Sequence, residues 1–408
     1  MPSSPADSAP RAWIAVPPGG PEVRIWGLTP AERLHRSLRN AGCAAVDRVP
    51  PDGISADGSI GKALVIRGDL LFDPRLVEAL LAAPDSLLVA DVGDRGASVV
   101  PVAAHVDAAR APELHACLMD AGAGSPAPAD LRRVEPGDLG PAYIAALRKA
   151  EPLYVIPVHP TRVAAIEQQL FGAAYKSITD LVTKWAWPAP AAAVTRRLAD
   201  WGVHPNWVTA ASWVLAVAAA LSFAGGQLGL GLLAAWSMTF LDTVDGKLAR
   251  VTLTSSRFGH VFDHALDLIH PPFWYFAWGY GVSGGIDAAT AVVIAGYLVG
   301  RLLEGLFLLA FKMETHCWKP IDSLFRTITA RRNPNLILLT VGALAGEAAL
   351  GMEMVALWTL ASLGFHSVRL IQAFRARARG EAIVPWDEVP GPALRPARNA
   401  GAPGENAT

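Results

Sequence analysis

Charge is scarce and balanced in this sequence: charged residues make up 17% of 408, and 35 Lys and Arg against 36 Asp and Glu leave a formal net charge of -1. Nucleic-acid binding is set aside on that ground, because it calls for a basic face and usually a basic isoelectric point. Cysteine is nearly absent. Cys43, Cys117 and Cys317 form an odd, widely spaced set, which supports neither a disulfide framework nor a zinc site and leaves buried thiols as the expectation. The first residues, Met-Pro-Ser-Ser-Pro-Ala-Asp, lack a basic region leading into an apolar core. No signal peptide is therefore expected, and the first domain is expected to stay cytoplasmic. Apolar residues, by contrast, are abundant. They reach 52% with a mean hydropathy of +0.31, too apolar for an ordinary soluble enzyme, so part of the chain belongs in lipid. The length suggests two or three domains.

The apolar residues are distributed in two styles. Up to about Pro160, short runs at Ala12 to Val16, Lys62 to Arg67, Ser86 to Ala90 and Ser98 to Ala103 read as strands. Amphipathic stretches at Thr29 to Ala41 and Pro74 to Ala83 read as helices. Such alternation predicts a cytosolic α/β domain over residues 1–160 with a largely parallel sheet, interrupted by a Pro/Gly-rich excursion from Ala121 to Pro141. Residues 161–204 read as linker and juxtamembrane helix, with basic and Trp side chains suited to the headgroup level. Six apolar segments follow, at about 207–225, 229–249, 258–281, 286–311, 334–350 and 352–374, each near the roughly 20 residues a spanning helix needs. Lys247, Arg250 and Arg257, then Lys312 through Arg332, then Arg375, Arg377 and Arg379 all fall on one side. The turns around Gly225, Gly284 and Gly351 contain no Lys or Arg. The positive-inside rule makes the basic side, and with it both termini, cytoplasmic. The fold expected is an α-helical integral membrane domain of six transmembrane helices over residues 205–379, preceded by the α/β domain and followed by a disordered tail over 380–408.

Four carboxylates stand out in this setting. Asp242 and Asp245 share a helical stripe with Gly246 and Ala249, Arg250 follows, and eight residues later Gly259, Asp263 and Asp267 repeat at intervals of four. An intramembrane carboxylate is costly and marks function by default. If the stripes face each other, hard cations such as Mg²⁺ or Mn²⁺ suit the oxygen ligands, and a pair of ions can clamp a pyrophosphate. The small residues permit close approach of a substrate group. An ion or solute transporter could use the same carboxylates, but that alternative leaves the small residues and Arg250 unexplained.

At these residues the sequence resembles the CDP-alcohol phosphotransferase family, whose pattern DxxDGxxAR, eight residues, GxxxDxxxD is met at every defined position; Pro205-Asn206 with Thr209 resembles the family's entry into its first spanning helix. The resemblance implies metal-dependent transfer of a substituted phosphate from a CDP-alcohol to a hydroxyl acceptor with release of CMP, in phospholipid or phosphodiester biosynthesis. It implies two ions held by Asp242, Asp245, Asp263 and Asp267, with Asp267 also the general base. Asn206, Gly246, Ala249, Arg250 and Gly259 would border the CDP group. A homodimer in membrane lipid is implied as well, and the basic loops put the active site on the cytoplasmic side.

Outside the motif, Arg301 and Glu304 lie one turn apart in the fourth segment and are candidates for the acceptor or head group, or a structural pair. The basic run Lys312, Lys319, Arg326, Arg331 and Arg332 reads as a positive-inside signal or a gatherer of anions, His270 before Pro271-Pro272 as a kink marker, and His366 and Arg369 as pocket candidates. In the first domain, Arg24-Ile-Trp-Gly-Leu and Leu64-Val-Ile-Arg-Gly68-Asp69 resemble sugar-nucleotidyltransferases of the doubly wound type. The Gly-rich, cationic phosphate loop is missing at Ile25-Trp-Gly-Leu-Thr-Pro. A degenerate scaffold or regulatory domain is expected, with Asp69 and Asp91 as strand-end metal candidates. A bifunctional enzyme whose first domain also makes the CDP-alcohol is the alternative.

Overall fold

Ala12 to Ala15, Ala63 to Ile66 and Ser86 to Ala90 are buried along their whole length, the mark of strands covered on both faces. The computed structural model describes residues 10–17, 23–50, 52–54, 61–93, 99–120, 128–144 and 147–386. Its main sheet is formed by β1 (Arg11–Ala15), β2 (Ala45–Arg48), β3 (Lys62–Arg67), β5 (Ser86–Asp91), β6 (Val99–Asp107) and β7 (Arg132–Val134), in the order β2-β1-β3-β6-β5-β7. A short β4 (Leu70–Phe72) pairs instead with the strand Val155–Pro157. Alternation along the strands feeds two cores. Ala12, Ile14, Leu64 and Ile66 pack under α1 (Pro30–Asn40) and α2 (Pro74–Leu81), while Trp13, Ala15, Ala63 and Val65 pack under α3 (Ala111–Met119). Thr29 starts α1 through a reciprocal cap with Glu32, with Pro30 at the first helical position, where its missing N–H costs nothing.

The expected sheet needs one correction. It is mixed, because β6 runs antiparallel between β3 and β5. Only residues 92–98 separate β5 from β6, too few for the dozen or so that a parallel crossover requires. The Pro/Gly-rich excursion is also not all loop. Residues 121–127 lie outside the described residues, but the remainder supplies β7, parallel to β5, and the short α4 (Pro136–Leu139). Ser98, expected to begin a strand, lies outside them too.

The linker holds α5 (Val163–Ala173), a π-helical turn at Val182–Ala186 and α6 (Pro188–Asp200). Of its tryptophans, Trp185 and Trp201 are exposed, whereas Trp187 turns inward and meets Trp236 and Phe240 edge-on.

Six helices form the apolar part: α7 (Pro205–Ala224), α8 (Leu228–Val251), α9 (Arg257–Ser283), α10 (Ala288–Phe311), α12 (Arg332–Leu344) and α13 (Ala348–Ala378), with the short α11 (Pro320–Arg326) before α12. Three of them, α7, α10 and α13, are long and apolar enough to cross a membrane. The fifth expected segment is corrected at its end. Its helix stops at Leu344, and the chain turns at Gly346, where φ is +78°, rather than at Gly351, which lies inside α13. A left-handed residue ends a helix with least strain when it is Gly. At 13 residues and about 1.5 Å per residue, α12 is too short to span about 30 Å by itself.

Indole N–H groups tie the bundle together: Trp274 Nε1 donates to the Ala216 carbonyl at 2.8 Å and Trp278 Nε1 to that of Ala348 at 3.2 Å. At His270, where a kink is expected, α9 runs through Pro271 and Pro272 without interruption. Most of the expected tail, 387–408, lies outside the described residues. Its beginning is packed, since Trp386 donates from its backbone to the Cys317 carbonyl at 3.0 Å and from Nε1 to Ser323 Oγ at 2.8 Å.

Candidate active site

Asp242, Asp245, Gly246, Ala249 and Arg250 occupy the last turns of α8; Gly259, Asp263 and Asp267 occupy the first turns of α9. The connection between them, 252–256, is short, both helices pack against α7, and one side chain, Arg332, reaches Asp242 and Asp267 at once. Both stripes therefore face one space. Asp245 is buried, and Thr209 Oγ1 on α7 donates to its Oδ2 at 2.5 Å. Gly259 lies against α7, where an added Cβ would stand 3.0 Å from Asn206 Oδ1 and 3.1 Å from Ser256 Oγ, so a side chain there would push the helix and Asn206 apart. Arg250 folds back over Gly246, its Nη2 3.1 Å from where a Cβ would be, and Asp245 and Asp263 are its electrostatic partners.

Two findings define the charge balance. First, Arg332 at the start of α12 bridges the two helices, its Nη2 donating to Asp242 Oδ2 at 2.5 Å and its Nη1 to Asp267 Oδ1 at 2.7 Å. One guanidinium neutralises part of four carboxylates. Second, Asp242 Oδ1, Asp245 Oδ1 and Asp263 Oδ1 are buried without a hydrogen-bond partner. Buried carboxylate oxygens on two facing helices, in excess over cationic side chains, suit a divalent cation, which supplies what the protein withholds. The aspartates are spread out. Among the described residues, the one set of three Asp, Glu, His or Cys side chains with ligand atoms all within 4.8 Å is Glu314, His316 and Cys317.

The cysteines are buried and in no disulfide, as expected, and Cys317 lies beside the other two side chains of that group. Burial brings His316 down to about 4. Glu314 is held at about 2 against its own burial by His316, Arg148 and Lys176, and Arg148 pairs with it directly. Asp69 and Asp91 belong to no such set: Asp69 is held by Arg67 at 2.6 Å, and an Asp91 oxygen accepts from Gly93 N at 3.1 Å.

Residues 202–367 match the family model described as CDP-alcohol phosphatidyltransferase. The helical part of this chain is a CDP-alcohol phosphatidyltransferase domain. No curated protein matches the chain. The family transfers phosphate from a CDP-alcohol to an alcohol acceptor in phospholipid synthesis, so the chain is a transferase. With three helices apolar enough to cross a bilayer, it is an integral membrane protein.

Within this CDP-alcohol phosphatidyltransferase domain, Arg301 and Glu304 do meet, at 3.2 Å. Glu304 also binds Arg331, and the three line a narrow pocket with Tyr297, Ser362 and His366. Arg369 lies elsewhere, clamping Asp322 with two bonds of 2.5 and 2.7 Å. The basic run before α12 is therefore not a free set of charges. Arg331 and Arg332 both turn back into the helices, which a solvated positive-inside loop would not do.

Two participants escaped the sequence reading. Arg332 was visible only as one of five basic residues. The excess of Asp in the motif was the signal that one of them must return to it. Tyr297 on α10 places its hydroxyl 3.3 Å from the Asp267 carbonyl and 2.9 Å from that of Leu268. These are the carbonyls whose helical donors would be Pro271 and Pro272, which have no N–H. Two consecutive prolines inside an apolar helix announce two carbonyls in need of a donor, and a neighbouring Tyr meets it beside Asp267.

Proposed function

We propose that the protein is a divalent-metal-dependent CDP-alcohol phosphotransferase whose six helices pack as one membrane unit, with both termini and the site on the cytoplasmic side and a non-catalytic α/β domain in front. The observation that carries this reading is the meeting of two Asp pairs on α8 and α9 with three buried carboxylate oxygens left unpartnered. Asp242, Asp245 and Asp263, with Asp267 shared, would hold two ions, Mg²⁺ or Mn²⁺. Bound there, such ions supply charge neutralisation for a pyrophosphate.

The remaining chemistry belongs to the chain's own side chains. Gly246, Ala249 and Gly259 leave a smooth wall for the nucleoside, beside Asn206, and Arg250 offers a guanidinium to the diphosphate. Asp267 is the more exposed of the two carboxylates that Arg332 touches, at 49% against 11% for Asp242. An acceptor hydroxyl can reach it, and it takes the proton as that oxygen attacks the phosphorus and CMP leaves. The pocket around Arg301, Arg331 and His366 is the place for an acceptor or head-group phosphate. Its space for water-sized groups is about 30 Å³, room for a few waters at most, and release of an arginine by Glu304 would widen it for a phosphate. A homodimer fits the family resemblance.

Purified protein is expected to release CMP from at least one CDP-alcohol when an acceptor alcohol and Mg²⁺ or Mn²⁺ are supplied, and to stop when the metal is chelated. Asp267→Asn is expected to lose turnover by at least about a hundredfold, the scale of a general base, while binding the CDP-alcohol nearly as well. Equal loss of binding and turnover would reduce Asp267 to a ligand. Absence of CMP release with every donor tried would refute the activity.

A further inference from the structure

The turn that joins the two Asp-bearing helices is held from outside the membrane domain. Helix α8 ends at Val251, and its last carbonyls have no partner within the helix. The carbonyl of Val251 and the next two, of Thr252 and Leu253 in the turn, are met by a single helix of the α/β domain. Arg33 Nη1 donates to the Val251 carbonyl at 2.5 Å, Arg36 Nη1 to that of Thr252 at 2.8 Å, and Asn40 Nδ2 to that of Leu253 at 3.2 Å. Residues 33, 36 and 40 share one face of α1 by helical spacing, so the face is built as a unit.

Several features show that this contact is more than a passing touch. Arg33 is buried, although it carries a charge, and also reaches the Ile25 carbonyl at 3.4 Å. Two guanidinium groups sit at the negative end of the α8 dipole. Leu253, in the middle of the turn, has φ of 55°, a left-handed conformation that a branched side chain adopts only when its surroundings impose it. The rest of the docking surface is apolar and continuous. Ile25, Trp26 and Leu71 share one core with Ile166, Phe171, Val244, Leu248 and Val251, and Trp26 N donates to Glu167 Oε1 at 2.9 Å.

We infer that the α/β domain is a positioning device for the transferase site: through Arg33, Arg36 and Asn40, helix α1 fixes the turn 251–256 and so the alignment of Asp242 and Asp245 against Asp263 and Asp267. None of the three touches substrate; they act through the backbone of the turn. The inference rests on the transferase reading above.

Arg33 is buried and its replacement risks the fold, so the test uses the full chain with Arg36→Ala and Asn40→Ala together, where one side chain is half-buried and the other exposed. Arg36→Lys serves as the conservative variant. Hydrogen exchange of the amides at 251–256 is expected to accelerate about tenfold or more in the double variant, the scale of losing bonds from a charged donor. Turnover per folded molecule is expected to fall about fivefold with Mn²⁺ and CDP-alcohol saturating, and Arg36→Lys to stay within about twofold of the parent on both readouts. Unchanged exchange in the turn would overturn the inference, and so would faster exchange with undiminished turnover. A loss of yield alone, with normal turnover per folded molecule, would reduce the contact to ordinary stability and overturn it as well. If the parent protein releases no CMP, the transferase reading fails, while the exchange data still decide whether α1 holds the turn.

Discussion

Arg332→Gln removes the side chain that, among the described residues, hydrogen-bonds to both Asp-bearing helices. The substitution keeps a polar group of similar length but leaves Asp242 Oδ2 and Asp267 Oδ1 without the guanidinium now 2.5 and 2.7 Å away. Breaking a buried pair by deleting one partner costs about 3–5 kcal/mol. Asp267 is half exposed, so water screens part of the loss and about 3 kcal/mol is the fitting figure. For a domain of this size that corresponds to a fall in Tm of about 6–12 °C. The same deletion removes a positive charge that repels cations from the carboxylates, so divalent metal should bind more tightly. A ligand at a hundred times its Kd stabilises by about 2.7 kcal/mol, enough to offset most of the loss. The assay is thermal unfolding of purified parent and variant across a Mn²⁺ titration in chelator-buffered detergent. The variant should be markedly less stable without metal, and its Tm should rise with Mn²⁺ more steeply than the parent's. Equal stability without metal, or a parallel response to Mn²⁺, would refute the view that Arg332 and the metal compete for one set of carboxylates.

The other predictions concern residues around this centre. Tyr297→Phe leaves the Asp267 and Leu268 carbonyls without their donor. It is expected to cost about 1–2 kcal/mol of stability and to lower turnover severalfold with little change in CDP-alcohol KM, measured by CMP release; an unchanged turnover would show that the helix holds Asp267 unaided. His316 supplies a pH prediction. Its folded pKa, about 4, lies below the ordinary histidine value near 6.5, so the unfolded chain binds the extra proton first and stability falls as pH drops from about 6.5 to 4, by up to about 3 kcal/mol. His316→Gln should flatten that stretch of the acid limb in a Tm against pH series, and a limb of unchanged slope would count against a buried neutral imidazole.

Much of the architecture was legible because it is written in local pattern. Strand β3 falls at Lys62–Arg67 and α1 at Pro30–Asn40 almost as apolar runs and capping residues predict, since each needs only neighbours a few positions away. What the pattern could not convey was direction and depth. The antiparallel course of β6 follows from a short connection, not from the composition of the strand. The break at Gly346 was hidden by apolar residues on both sides, because hydropathy reads composition and is blind to a single left-handed φ.

The candidate site divides along the same line. Its core is a spacing within one stretch, Asp242 to Asp267, and helical geometry alone aligns each pair. The partners of that core come from 65 and 90 residues away in Arg332, 30 away in Tyr297 and 218 away in Arg33. Any of several arginines could have served from the standpoint of sequence. The sequence by itself determined the chemistry available, four carboxylates and small residues at fixed intervals on two helices. Only the tertiary structure decided which cations balance them, which hydroxyls satisfy the carbonyls that prolines leave bare, and which domain holds their turn. The physical reason is that periodicity specifies a face, whereas charge neutralisation and carbonyl capping are met by whatever side chain the packed chain brings within about 3 Å.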